Sequence, residues 1–154
     1  MSTATQPAPG EPRPGVVPVS ARPSEVDATW KPFWKAARED RLVMQRCAAC
    51  GAFRFPPSPF CPACRSQDAE WAELPGTGSV YTFTVVRHPL HPGLVAVCPY
   101  VTALVDLDGT QGAGARMLGN LVGCDPDDVA VGTRVRVVFD HVTDETPVAR
   151  FAPV

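Results

Sequence analysis

Long apolar runs are missing from this sequence. Across its 154 residues no segment approaches the eighteen or so consecutive apolar positions that a membrane-spanning helix needs, and the opening MSTATQPAPGEPRPGVVPVS has no apolar core of a signal peptide. Basic clusters are missing too. Lys and Arg number 14 against 16 Asp and Glu, a formal net charge of −2, so nothing in the composition draws phosphate backbones or anionic lipid from a distance. Histidine is scarce, at His88, His91 and His141, and no Ser-His-Asp spacing stands out. These absences leave a helical membrane span and a serine-hydrolase site without candidates. They lead to the expectation of a cytoplasmic protein, where thiols stay reduced and cysteine reads as metal ligand or reactive thiol before disulfide.

At this length the chain has room for one domain, or for one small domain beside a metal-stapled module. Residues 1–26 carry Pro7, Pro9, Pro12, Pro14, Pro18 and Pro23 among Gly, Ser, Thr and Ala. Such a composition buries too little apolar surface to offset chain ordering, and the segment reads as a disordered or polyproline-like arm. The following segment, 27–45, reads as an amphipathic helix. In DATWKPFWKAARED, Trp30, Phe33, Trp34 and Ala37 follow an i, i+3, i+4, i+7 stripe, with Lys31, Lys35, Arg38 and Glu39 on the other face. With Thr29 as N-cap, Pro32 falls in the first turn, and the helix is expected from about Trp30 to Asp40. Two readings of its rings stand side by side: packing on the chain's own domain, or docking of Trp30, Phe33 and Trp34 on a partner protein.

Segment 46–74 contains two Cys-x-x-Cys pairs, Cys47/Cys50 and Cys61/Cys64. That spacing lets a tight turn bring two thiolates to one metal, and two such turns complete a tetrahedral set suited to zinc or, less often, iron. A thioredoxin-like dithiol needs one pair only. Four thiolates leave no open coordination position, so the expected role is structural, with one zinc per chain and no chemistry at the metal. Gly51 is expected at a positive φ after the second ligand, and Phe53, Phe55 and Phe60 are expected to cover the site. Cys98 and Cys124 read either as small buried apolar residues or as a catalytic thiol.

From residue 75 the pattern becomes β. GTGSVYTFTVVRH alternates Tyr81, Phe83, Val85 against Val80, Thr82, Thr84, and YVTALVDLD sets Val101, Ala103, Val105 and Leu107 on one face. ARMLGNLVG, TRVRVVFDHV and TPVARFAPV supply three more strands. CDPDDVAVG reads as a turn followed by a short helical or 3-10 piece, and HPLHPGLVAVCP as a long Pro-bounded loop. Five short strands over residues 75–154 suit a small closed barrel, with the OB-fold as the natural choice.

RCAACGAFRFPP, FCPAC, GTGSVYTFTVVRHP, PYVTALVDLD, LVGCDPDDVAVGTRVRVVFD and the closing ARFAP together resemble a zinc-ribbon/OB-fold family long catalogued as a domain of unknown function and called acyl-CoA-associated. The likeness covers about Phe33 to Pro153 and implies a mainly β chain: an N-terminal helix, a rubredoxin-like four-cysteine ribbon and a five-stranded OB barrel. It further implies an accessory subunit in a hetero-oligomer with a thiolase-fold enzyme, such as a thiolase or a steroid side-chain aldolase, where the partner supplies the catalytic residues. A CoA thioester is then expected at the loop from His88 to Pro99, with His88 and His91 beside it and Arg87 and Arg116 meeting phosphates. The other function classes are a single-stranded nucleic-acid binder using Tyr81 and Phe83 as a stacking platform, and an independent enzyme using Cys98, Cys124 or a histidine.

Overall fold

The computed structural model describes residues 28–90, 92–110, 115–143 and 146–154. The Pro-rich arm expected over 1–26 and the expected site residue His91 lie outside the described residues.

A 3-10 turn over Ala28–Trp30 leads into helix α1, Lys31–Ala37. Pro32 occupies the first turn, as its missing N–H favours. Two features differ from expectation. Thr29 lies inside the 3-10 turn and is not the cap; Trp30 takes that place without a side-chain hydrogen bond. The helix also ends at Ala37 and not at Asp40. Arg41 N–H donates to Ala36 O at 3.0 Å and Asp40 N–H to Ala37 O at 3.1 Å, while Asp40 adopts φ 55°. This is a Schellman closure, and the left-handed residue turns the chain into the first strand. Residues 43–45, read from sequence as helix, therefore begin that strand, where Val43, Met44 and Gln45 are all buried.

Strands β1 (Val43–Cys47), β2 (Phe53–Arg54) and β3 (Ala69–Glu73) form an antiparallel sheet of order β2-β1-β3. The register pairs Gln45 with Arg54 and with Trp71, and Arg46 with Phe53 and with Glu70. Pleating then divides the side chains: Gln45, Arg54 and Trp71 share one face, and Arg46, Phe53 and Glu70 the other.

The remaining five strands are β4 (Thr77–Val86), β5 (Tyr100–Leu107), β6 (Arg116–Leu121), β7 (Arg134–Thr143) and β8 (Thr146–Pro153). They close a five-stranded OB-type barrel in the order β4-β5-β6-β8-β7. All neighbours are antiparallel except β6 and β8, which pair in parallel through Leu121 and Phe151. On β5 the expected face, Val101, Ala103, Val105 and Leu107, is buried throughout. On β4 a bulge intervenes between Val80 and Thr82, so strict alternation fails there. Val80 is buried and Phe83 and Val85 pack against the core, whereas Tyr81 is exposed. The barrel needs Gly78 for closure, because a Cβ there would stand 2.4 Å from the carbonyl oxygen of Asp106.

One apolar cluster joins the two parts. Phe33, Leu42 and Met44 belong to the same core as Val80, Val105, Val135 and Phe151. The helix thus acts as a wedge between ribbon and barrel. His141 of β7 reinforces the joint through a 2.7 Å contact with Asp40.

Candidate functional site

The ribbon cysteines converge as their spacing requires. Sγ atoms of Cys47 and Cys64 are 3.6 Å apart, those of Cys50 and Cys61 are 3.6 Å apart, and all four lie within 4.8 Å of one another. A disulfide needs about 2.05 Å between sulfurs. A tetrahedron with bonds of about 2.3 Å to zinc has sulfur–sulfur edges of about 3.8 Å, so the donor set fits a four-thiolate metal site. Gly51 follows the second ligand at φ 75°, as expected. Cys47 and Cys61 are buried while Cys50 and Cys64 face outward, an arrangement that anchors the metal on its inner side.

Backbone groups prepare the thiolates. The Cys47 thiol is lowered mainly by the N–H of Cys50, and Cys61 is brought down to about 6 chiefly by the N–H of Cys64. At Cys50 the N–H of Ala52 pulls downward, but crowding by the Cys64 and Cys61 sulfurs outweighs it and raises the thiol to about 12. Four sulfurs this close cannot all hold negative charge without a cation among them. The site is built for a structural metal.

The phenylalanines of the ribbon take different places. Phe55 turns to the helix, its ring centroid 5.5 Å from Trp30 and 6.0 Å from Phe33, and Phe60 is 53% exposed. Among the expected docking rings, Phe33 is only 3% exposed and is committed to the core. Trp30 and Trp34 are partly buried and stack at 6.3 Å, edge-on to Phe33 at 5.6 and 5.0 Å. The accessible part of the aromatic face is therefore the indole pair, supported from beneath by Phe33.

The described residues expected to meet a CoA thioester divide: Arg87 and His88 are exposed neighbours, and Arg116 stands apart from them. Arg87 directly follows β4, at the end where Val86 pairs with Tyr100, and its guanidinium pairs with Asp127. Arg116 begins β6 opposite Asp106, which faces Ser79 near the start of β4. Seven residues of strand at about 3.3 Å each put some 23 Å between the two levels. Arg116 is moreover held by Asp106 at 2.6 Å and lies 3.4 Å over the Tyr81 ring. His88 is exposed beside Arg87, and Leu90 and Val95 of the same loop are 82% and 63% exposed. The Tyr81–Phe83 platform is likewise broken, since the bulge turns one ring outward under Arg116 and the other inward.

What sequence reading missed is a cleft of about 170 Å³ at the Arg87 end of the barrel, lined by Cys98, Tyr100, Val101, Leu121, Cys124 and Pro126. Cys98 and Cys124 are partly buried, not fully, and burial raises the Cys124 thiol with Asp125 and Asp128 adding to it. A raised thiol is a poor nucleophile at neutral pH. The signal available beforehand was that one cysteine precedes β5 and the other follows β6; the register that joins Val101 to Leu121 brings the two together.

Residues 34–70 match the family described as ChsH2, rubredoxin-like zinc ribbon domain, and residues 71–140 match ChsH2, C-terminal OB-fold domain. A DUF35 domain-containing scaffold protein of Methanocaldococcus jannaschii is 36% identical over 114 residues, 73% of this chain and 77% of that protein. The chain belongs to the DUF35 family. A solved DUF35 structure, titled Ltp2-ChsH2(DUF35) aldolase, superposes with a TM-score of 0.72 at 39% identity, covering 85% of this chain and 98% of that one. A probable enoyl-CoA hydratase alpha subunit of Thermomonospora curvata is 41% identical over 137 residues, 88% of this chain. The chain spans only 41% of that subunit's length. No helix among the described residues is long and apolar enough to cross a membrane.

Proposed function

We propose that this chain is an accessory subunit, docked in a hetero-oligomer on a thiolase-fold enzyme that acts on CoA thioesters in lipid or steroid breakdown. The observation that carries the reading is the 39% identity to the DUF35 chain of the Ltp2-ChsH2(DUF35) aldolase over 98% of that chain's length. Similarity to an archaeal DUF35 domain-containing scaffold protein supports the same class of role. The 41% identity to a probable enoyl-CoA hydratase alpha subunit, of which this chain spans 41%, supports a role beside CoA-thioester chemistry.

Physical features of the chain agree with assistance more than with independent catalysis. The four-thiolate centre binds one zinc per chain and serves to hold the ribbon in shape. Trp30 and Trp34 form the docking element with Phe33 as their support, since half-buried indoles on a packed base make efficient interface anchors. The Arg87 end of the barrel takes the thioester: Leu90 and Val95 offer apolar contact to a pantetheine or acyl chain, exposed His88 stands beside Arg87, the Cys98–Cys124 cleft opens at the same end, and His91 is a further contact on sequence grounds. Arg87 at this end is the phosphate contact, and Arg116, at the other level, belongs to a separate contact. A reducing compartment, as the cytoplasm, keeps the ligands as thiolates.

Co-expression with a thiolase-fold subunit tests the reading. The two are expected to co-elute on size exclusion, and Trp30→Ser with Trp34→Ser should weaken the complex by roughly thirtyfold, as loss of an interface hot spot does. Elution of this chain alone from every thiolase-fold partner tried would refute it.

A further inference from the structure

Among the described residues two arginines are buried, and their surroundings differ. Arg150 on β8 donates to Asp140 from Nε at 2.9 Å and to Asn120 from Nη1 at 3.2 Å, so its charge is neutralised inside the barrel wall. Arg54 on β2 is 3% exposed, and Nε, Nη1 and Nη2 have no hydrogen-bond partner. A guanidinium brings five donors and cannot shed its proton, so one taken out of water without an anion is strongly unfavourable.

The sheet register says where an anion is available. Arg54 stands opposite Gln45, on the face of the ribbon sheet that continues two residues along β1 to Cys47. Ser58 N–H donates to Gln45 Oε1 at 2.8 Å, tying the segment that leads to Cys61 over that face. Strand spacings of about 3.3 Å per residue and about 5 Å between strands bring Arg54 within on the order of 10 Å of the metal centre. Four thiolates around a divalent cation make a dianion, and two of its cysteines are buried. Between buried charges salt screens little, so an attraction over that distance persists.

We propose that Arg54 is the internal counter-charge of the metal centre. Loaded with metal, the ribbon holds an anion and a cation in one interior; empty, it holds the cation alone. Arg54 thereby links metal occupancy to ribbon folding, whichever enzyme the chain serves. It positions and balances, and touches no ligand atom.

The test is zinc affinity of the full chain, measured by competition with a chromophoric chelator, for the native protein and for Arg54→Met, Arg54→Lys and Arg46→Met. Arg54→Met is expected to bind zinc roughly tenfold more weakly, the size of a partly screened charge–charge attraction at this range. Arg54→Lys keeps the charge and should restore affinity to within about threefold, as the ammonium remains in place. Arg46→Met removes an exposed guanidinium lying over Phe53 and should change affinity less than about twofold. Zinc affinity unchanged or tighter in Arg54→Met, or a Lys variant as weak as the Met one, would overturn the proposal and leave Arg54 a packing residue. Should Arg54→Met yield no soluble protein, Arg54→Gln carries the same comparison with the same two outcomes.

Discussion

Phe33→Ala tests the claim that the N-terminal helix is a wedge shared by ribbon and barrel. Phe33 is 3% exposed, sits in one cluster with Leu42, Met44 and Phe151, and meets three rings, Trp30 at 5.6 Å, Trp34 at 5.0 Å and Phe55 at 6.0 Å. Truncating a buried Phe to Ala costs about 3–5 kcal/mol through lost transfer energy and the cavity left behind. Three edge-on or tilted ring contacts favour the middle of that range or above, so about 4 kcal/mol is expected. For a chain of this size each kcal/mol moves the melting temperature by about 2–4 °C, which gives a drop of about 12 °C in the zinc-loaded protein. Differential scanning calorimetry reads the shift, and indole fluorescence reports whether the helix has left its seat. Phe60→Ala is the control: its ring is 53% exposed and the change should cost within about 0.5 kcal/mol. A Phe33→Ala drop below about 3 °C, or a Phe60→Ala drop as large as that of Phe33→Ala, would refute the wedge.

Cys47→Ser should lower bound zinc and expose β1–β3 to amide exchange while the strands of the barrel stay protected; full zinc content by elemental analysis would contradict the closed four-thiolate site. Asp140→Ala leaves buried Arg150 without its 2.9 Å carboxylate partner and should cost about 3–5 kcal/mol in chemical denaturation, against a negligible cost for removing exposed Asp127 from Arg87. Asp108 is held down to about 2 by hydrogen bonds from Arg134 and Thr77. A carboxyl lowered in the folded state stabilises above its unfolded value and loses that contribution as pH falls through the folded one. Barrel stability should therefore decline between about pH 4 and 2 in the native chain and more gently in Asp108→Asn; equal slopes would contradict the assignment.

Regular alternation and fixed ligand spacing made most of the architecture legible from residues alone. Val101, Ala103, Val105 and Leu107 report one buried face because β5 runs without interruption, and the two Cys-x-x-Cys turns specify a donor set whatever surrounds them. Reading failed where a single residue breaks a period. The bulge at Tyr81 separates it from Phe83, and the left-handed Asp40 closes the helix at Ala37, short of the end expected at Asp40. A bulge carries no distinctive composition, and a non-glycine left-handed residue is invisible to a pattern of apolar positions. Long-range partnership was also hidden. Arg87 and Arg116 look alike in sequence, yet the β4-β5-β6 register sets them at opposite levels, each already facing an acid. Alternation with Phe53 and Phe55 places Arg54 on the opposite face of β2, but only the burial of that face gives the placement meaning.

On the proposed function, this chain lends shape and surface to another enzyme's chemistry. Turnover of CoA thioesters should be measured for the zinc-loaded chain alone, for a thiolase-fold partner alone and for the two mixed. The account predicts full activity in the mixture only, with none from this chain by itself. Turnover by this chain alone, lost in a Cys98→Ser/Cys124→Ser variant, would contradict it and transfer the chemistry to the barrel-end cleft.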